Sequence, residues 1–264
     1  MWIELFPKHV GMALFLEHPG PKHANWSNKK LTLWDGSDNE NLYQSNIKDP
    51  ENRALLEKYG WVDTEIEYRF NRQRFRADEF DNRICGLSLG CSFTRGIGLK
   101  EDQTWPSVLS KISGLHFWNL GVGSGAMDTC TRLLDYYISK LKPRIVILLS
   151  PPTNRFELHK DSWWHVMGVN ITGIDTLNFQ DFQKVYYAYD ENSRINHRRN
   201  ILAMKQLCAQ LNTPFYSWEC SDTNAFLPAD KSDLARDLLH QGPVAQQRLA
   251  EIMHKKIAPE IARL

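Results

Sequence analysis

The stretch RIVILLS, residues 144 to 150, constrains the fold more than any other part of the chain. It is apolar between its ends and rich in branched side chains, with no polar residue on either face. Such a run reads as a central parallel strand covered on both sides. Three further runs match it as strands: RICGLSL (83 to 89), LHFWNL (115 to 120) and TPFYSW (213 to 218). Between and after them lie helical patterns. WPSVLSKI (105 to 112) carries Pro106 near its start, where proline suits a first turn. AMDTCTRLLDYYISKL (126 to 141) spaces Met127, Cys130, Leu133, Leu134, Tyr137 and Leu141 along one helical face. NHRRNILAMKQLCAQL (196 to 211) and PVAQQRLAEIMHKKIAPEI (243 to 261) complete the set, with Cys208 expected in the core. Strands alternating with helices predict an α/β domain with a mainly parallel sheet. In such sheets ligands bind beyond the carboxyl ends of the strands. That directs attention to the segments after Leu89, Leu120, Leu149 and Trp218.

Residues 1 to 80 show no clear periodicity. GSDNENLYQSNIKDPENR (36 to 53) reads as loop, and TEIEYRFN (64 to 71) alternates like a strand. The region is expected to be an irregular extension packed on a catalytic domain of residues 81 to 264. Of the 264 residues 42% are hydrophobic, enough for a substantial core, and the formal net charge of +1 gives no global field favouring nucleic acid or an anionic membrane. Nine Trp and nine Tyr suit either a sugar cleft or core filling. The five cysteines, Cys85, Cys91, Cys130, Cys208 and Cys220, include no CxxC pair, so zinc and disulfide frameworks are not expected. Reduced thiols, with neither a signal peptide nor a membrane span in MWIELFPKHVGMALFLEHPG, lead to the expectation of a soluble, cytoplasmic protein.

The candidate chemistry sits in four short segments. GLSLGCSFTRGIGL (86 to 99) ends a strand with two adjacent nucleophiles, Cys91 and Ser92. A thiol nucleophile needs a lowered pKa and access. NLGVGSGAMD (119 to 128) matches Gly-x-Gly-x-x-Ala, but the next strand ends ILLSPP with no acid for a ribose, which argues against a dinucleotide. The same backbone can aim N–H groups at an anionic intermediate. SPPTNRFE (150 to 157) offers the Asn154 amide as an oxyanion donor, or simply as a turn residue. In SDLARDLLHQGPVAQQ (232 to 247), Asp237 and His240 stand three residues apart, a spacing that can set them side by side on one helical turn. There the carboxylate can fix the imidazole tautomer; the alternative is a surface helix ending in a histidine. In ELHKDSWWHVMG, His159, Trp163, Trp164 and His165 fit a cleft rim or a self-packed lid. RQRFR (72 to 76) fits a solvated face or internal salt bridges better than an anion site.

Taken in order, these segments resemble the SGNH, or GDSL-like, hydrolase family over roughly residues 84 to 250. GCSFTRGIGL is similar to the family's nucleophile motif, NLGVGSG to its second block, PTNR to its third and DLLHQGP to its final Asp-x-x-His. The resemblance implies a three-layer α/β/α sandwich of flavodoxin-like type. It implies Ser92, Asp237 and His240 as a triad. It also implies an oxyanion hole from the N–H groups of Ser92 and Ser124 with the Asn154 amide, Gly123 and Gly125 being the neighbours that compete with Ser124. No metal or cofactor is implied. The chain departs from the family in three places: Cys91 replaces an acidic residue, the second block has Gly123, Ser124 and Gly125 where one glycine is usual, and Thr-Asn-Arg replaces Gly-x-Asn-Asp. The implied activity is hydrolysis of a small-molecule or carbohydrate carboxylic ester, an O-acetyl sugar among them. The alternatives are acyl transfer by the same site, and an inactive carbohydrate-binding or structural protein of the same fold.

Overall fold

The computed structural model describes residues 31–160, 163–167, 186, 188–219 and 233–263. In chain order its elements are β1 (Leu31–Thr32), α1 (Glu40–Lys48), α2 (Pro50–Lys58), β2 (Tyr68–Arg69), β3 (Cys85–Gly90), α3 (Ser92–Arg95), α4 (Trp105–Ser113), β4 (His116–Asn119), α5 (Met127–Leu141), β5 (Ile145–Ser150), β6 (Phe156–Lys160), β7 (Trp163–Met167), α6 (Asp190–Gln210), β8 (Phe215–Glu219) and α7 (Pro243–Ile261). A 3₁₀ turn, Glu101–Gln103, precedes α4.

The sheet grows from β5, as the run at 145 to 149 demands. β4, β3, β5 and β8 lie side by side in that order, all parallel. Every residue of β3 and β5 is buried. Alternation along β5 feeds two separate cores. Val146 and Leu148 join Leu87, Leu89, Leu133 and Met204 on one face. Ile145, Ile147 and Leu149 join Leu109, Leu249 and Met253 on the other. Helices α5 and α6 cover the first face, and α4 and α7 pack together over the second. Each buried branched side chain contributes roughly 1.5–3 kcal/mol, so the three layers follow from the pattern of β5 and its neighbours. The expected α/β/α sandwich is what forms.

Strand order positions the site. The chain leaves β3 toward one edge to make β4, then recrosses β3 to make β5 and β8. The order reverses between β3 and β5, the place beyond the carboxyl ends of the strands where sheets of this kind bind ligands. The residues just past β3 are Cys91 and Ser92, and just past β5 comes the turn at 151 to 155.

The region before the sheet differs from the expectation. Residues 40 to 48 and 50 to 58, which lack an apolar stripe, are helices made by capping. The Asn39 side chain accepts from the Leu42 N–H at 3.0 Å. Asp49 ends α1 and caps α2, accepting from the Asn52 N–H at 2.9 Å, with Pro50 in the first turn. Of the strand expected at 64 to 71 only Tyr68–Arg69 pairs, with Leu31–Thr32. Leu56, Trp61, Ile66 and Tyr68 cluster with Leu99 and Ala235, so this region packs on the segment after α3 and on the loop before α7.

β6 and β7 form an antiparallel hairpin. The side chains of His159, Trp163, Trp164 and His165, and all of Cys220, lie outside the described residues. Cys208 is 1% exposed, in the core as expected. Among the described residues no helix is long and apolar enough to cross a membrane, and no group of His, Cys, Asp and Glu has metal-holding geometry.

Candidate active site

The Ser92 side of the site is an outgrowth of the sheet. β3 ends at Gly90, whose φ of 157° lies outside the range of ordinary L-residues. A Cβ there would collide with the Thr94 side chain and lie 2.7 Å from the Leu149 carbonyl oxygen. Glycine thus lets the chain turn sharply against β5 into α3, a single turn that begins with Ser92 and stops at Gly96 (φ 77°). Asn119, at the end of β4, fastens this turn to the next loop. Its Nδ2 donates to the Thr94 carbonyl at 2.8 Å, and its Oδ1 accepts from the Gly121 N–H at 2.9 Å. Gly121 abuts the α3 backbone so closely that a Cβ would strike the Arg95 nitrogen. Past β4 the ladder continues, Leu120 N–H to Ser88 O at 2.9 Å and Val122 N–H to Gly90 O at 3.0 Å. A turn follows, closed by Gly125 N–H to Val122 O, with Ser124 held at φ 59°. The Ser92 and Ser124 N–H groups donate to no backbone carbonyl among the described residues.

The side that carries Asp237 and His240 is a loop and not the helical turn expected for DLLHQ. An isolated bridge between Leu234 and Gln241 closes it. Inside, Ala235 N–H donates to His240 O and Leu238 N–H to Ala235 O, each at 2.9 Å, with Leu238 at φ 56°. This fold-back still brings Asp237 and His240 together. His240 Nδ1 lies 2.6 Å from Asp237 Oδ2, and His240 Nε2 lies 2.7 Å from Ser92 Oγ. The second carboxylate oxygen accepts from the Leu239 and His240 N–H groups, both at 3.1 Å.

The electrostatics assign the protons. Asp237 is 2% exposed. Burial alone would raise its pKa, but the hydrogen bonds from His240, Ser37 and Leu239 outweigh burial and hold it below the usual aspartate value. An ionised carboxylate only accepts, so His240 Nδ1 carries its hydrogen and Nε2 is left to accept from the Ser92 hydroxyl. Burial pushes the His240 imidazolium down, and the hydrogen bond and charge of Asp237 more than reverse this, raising it above its ordinary 6.5. The Phe93 ring meets the imidazole edge-on, centroids 4.9 Å apart.

Cys91, the other member of the opening pair, is fully buried as the residue before α3, and its carbonyl accepts from Thr94 and Arg95. Asn154 is exposed in the turn after β5, and its amide has no hydrogen-bond partner among the described residues. Its neighbour Arg155 reaches the Gly125 carbonyl at 3.5 Å.

Several supporting groups carry no local sequence signal. Asp38 makes a paired contact with Arg236, at 2.9 and 2.7 Å, and Asp35 holds Arg95 at 2.5 Å; all four side chains are buried. Trp61 Nε1 donates to the Leu234 carbonyl at 2.8 Å. Gln246 of α7 accepts from Trp105 N–H at 2.8 Å and donates to the Phe93 carbonyl at 3.3 Å. Arg76 corrects the reading of RQRFR. It is 1% exposed, lies over the Tyr68 ring, and donates to the Gly96 and Leu99 carbonyls beyond α3 at 2.5 and 2.6 Å. Arg72, at the other end of the stretch, sits on a solvated face beside Glu79.

No known family profile matches the sequence, and no curated protein matches it. Among solved structures the chain is similar to a Clostridium thermocellum family 3 carbohydrate esterase, at 13% identity over 69% of this chain and 98% of that one, TM-score 0.40. It is also similar to the psychrotrophic esterase EstA of a Pseudoalteromonas species, at 14% identity over 68% and 98%, TM-score 0.38. A Desulfitobacterium hafniense chain named for the G-D-S-L family of lipolytic proteins is 16% identical over 66% and 99%, TM-score 0.36. At these values the likenesses carry nothing for the chemistry, which rests on the side chains above.

Proposed function

We propose that this chain hydrolyses carboxylic esters of small molecules or carbohydrates with Ser92 as nucleophile. The observation that carries the reading is the unbroken line from Asp237 Oδ2 through both His240 nitrogens to Ser92 Oγ, at 2.6 and 2.7 Å. Ser92 Oγ attacks the ester carbonyl as His240 Nε2 takes its proton. The imidazolium so formed is stabilised by Asp237 and returns the proton to the departing alkoxide, leaving an acyl-serine. A water molecule repeats the sequence, giving its proton to His240, and the carboxylic acid leaves as Ser92 is reprotonated.

The tetrahedral oxyanion needs donors. The Ser92 N–H is available because first-turn amides have no helical acceptor. The Ser124 N–H belongs to a turn held in a left-handed conformation that costs a serine roughly 1–2 kcal/mol. Strain of that kind beside a reactive group suits a donor fixed in advance. The Asn154 amide is the third donor in this reading. Each such donor supplies roughly 3–4 kcal/mol to the transition state. The test is turnover of p-nitrophenyl acetate by the wild type and by Ser92→Ala. Release of nitrophenolate by the wild type alone is expected, and equal rates for the two would refute the reading.

A further inference from the structure

We infer that Ser37, from the region preceding the sheet, is a positioning residue of this active site that holds the Asp237 carboxylate. The inference rests on the hydrolytic reading for its catalytic meaning, and on geometry for its substance. The Ser37 hydroxyl donates to Asp237 Oδ2 at 2.6 Å, the same oxygen that accepts from His240 Nδ1. With the Leu239 and His240 N–H groups on Oδ1, the carboxylate has two donors on each oxygen. Its rotation about the Cβ–Cγ bond is therefore blocked from both ends, and so is that of the imidazole it holds.

The hydroxyl is delivered by a built device. Ser37 lies in the turn Asp35–Asp38, closed by reciprocal backbone bonds, Asp35 N–H to Asp38 O at 2.9 Å and Asp38 N–H to Asp35 O at 3.1 Å. Each end of the turn is fixed by a buried carboxylate. Asp35 holds Arg95, three residues beyond Ser92 in α3, and Asp38 holds Arg236, immediately before Asp237. Tyr68 locks the far side, donating to Asp38 Oδ2 at 2.5 Å and accepting from Gly98 N–H at 2.8 Å. One turn thus spans the nucleophile helix and the acid–base loop, with Ser37 between its anchors and directed at the carboxylate.

The consequence is electrostatic as well as geometric. The positive end of the hydroxyl dipole stabilises the Asp237 anion and opposes the imidazolium behind it. Removing the hydroxyl should leave the carboxylate a stronger partner for His240 and raise the imidazole pKa. The other charged or titratable groups facing this pair are Cys91 before α3, Arg155 after β5 and Asp38 in the turn itself. The substitution alters none of them.

The test is a titration of the His240 ring nitrogens by ¹⁵N NMR in the full chain, which needs no substrate, run with p-nitrophenyl acetate kinetics. Ser37→Ala should raise the His240 pKa by ~0.5 unit and lower kcat roughly tenfold with KM unchanged. Ser37→Thr, which keeps the hydroxyl, should titrate as the wild type does. Ser37→Val, of the same shape without it, should follow Ser37→Ala and serves if Ser37→Ala does not fold. Identical His240 titrations in wild type, Ala and Val variants would overturn the inference. So would a parallel shift in Thr and Val, which would point to bulk in place of the hydroxyl. A shifted titration in a chain that turns over no ester would uphold Ser37 and defeat the hydrolytic reading. Ser92-dependent turnover with an unmoved titration would do the reverse.

Discussion

The two sides of the proposed active site are held by different kinds of force. Ser92 stands at the end of a strand buried on both faces, and its turn is tied to the hydrogen-bond ladders of β3, β4 and β5 through Gly90, Asn119 and Val122. Asp237 and His240 stand on a loop with no strand beneath it. Polar contacts from residues 35 to 61 fix that loop: Asp38 to Arg236, Ser37 to Asp237, Trp61 to Leu234. Lost apolar burial costs stability, but the cavity it leaves is local and its neighbours partly relax into it. A lost partner of a buried charge instead leaves its mate without solvent or counter-ion, and that mate must move to find one. A site assembled from both should fail differently according to which side is struck.

The largest effect comes where the sides meet. Ser92→Ala and His240→Ala should each lower kcat/KM on the order of 10⁴-fold or more, and the double variant should cost little beyond either, because the residues act as a unit. Multiplicative losses in steady-state kinetics would separate the two sides and break the triad. On the sheet side, Asn154→Ala should reduce kcat roughly a hundredfold with little change in KM. A raised KM with kcat intact would reassign Asn154 to substrate binding.

A matched pair sharpens the contrast directly. Leu133→Ala in the apolar core and Asp38→Ala in the polar support should both destabilise the fold, by about 2–5 kcal/mol for the cavity and about 3–5 kcal/mol for the uncompensated Arg236. Chemical denaturation measures both. Leu133→Ala should retain wild-type kcat per folded molecule, whereas Asp38→Ala should lose tenfold or more, since a displacement of about 1 Å at the base is enough. Equal kcat in the two would mean that the loop holds its own shape.

The smallest expected effect is on pH. In the proposed mechanism His240 must be neutral to accept the Ser92 proton. Burial lowers its pKa, but Asp237 outweighs burial and raises it above the ordinary value. The acid limb of kcat/KM should therefore have its midpoint above 6.5, with activity falling as pH drops through it. In Asp237→Asn the charge is gone while burial remains, so the residual activity should show a limb displaced to lower pH. A limb that stays in place would mean that another group titrates.

The same contrast decides what could be read from the chain. The sheet side was legible because its signals are local: an apolar run at 145 to 149 and a glycine two residues before a serine at the end of a strand. Asp237 and His240 were legible as a pair by spacing, yet their conformation was not. Three residues suit a helical turn, and only the Leu234–Gln241 bridge and the left-handed Leu238 show a loop. The support at Asp35, Ser37, Asp38 and Arg76 left no trace, because its partners lie about 20 to 200 residues away. Helices α1 and α2 escaped for a related reason. Caps at Asn39 and Asp49 make them, and the polar sequence between carries no stripe to see.

The central claim is that Ser92, and not the adjacent Cys91, is the group His240 activates. Cys91 and Ser92 follow β3 as the residue before α3 and the first residue of α3, and their side chains take different directions. Here Ser92 Oγ meets the imidazole at 2.7 Å while Cys91 is fully buried. Labelling with a fluorophosphonate followed by peptide mapping, on wild type, Cys91→Ala and Ser92→Ala, tests this most directly. The account predicts one adduct, on Ser92, retained in Cys91→Ala together with esterase activity and absent from Ser92→Ala. An adduct on Cys91, or activity that survives in Ser92→Ala and vanishes in Cys91→Ala, would contradict it.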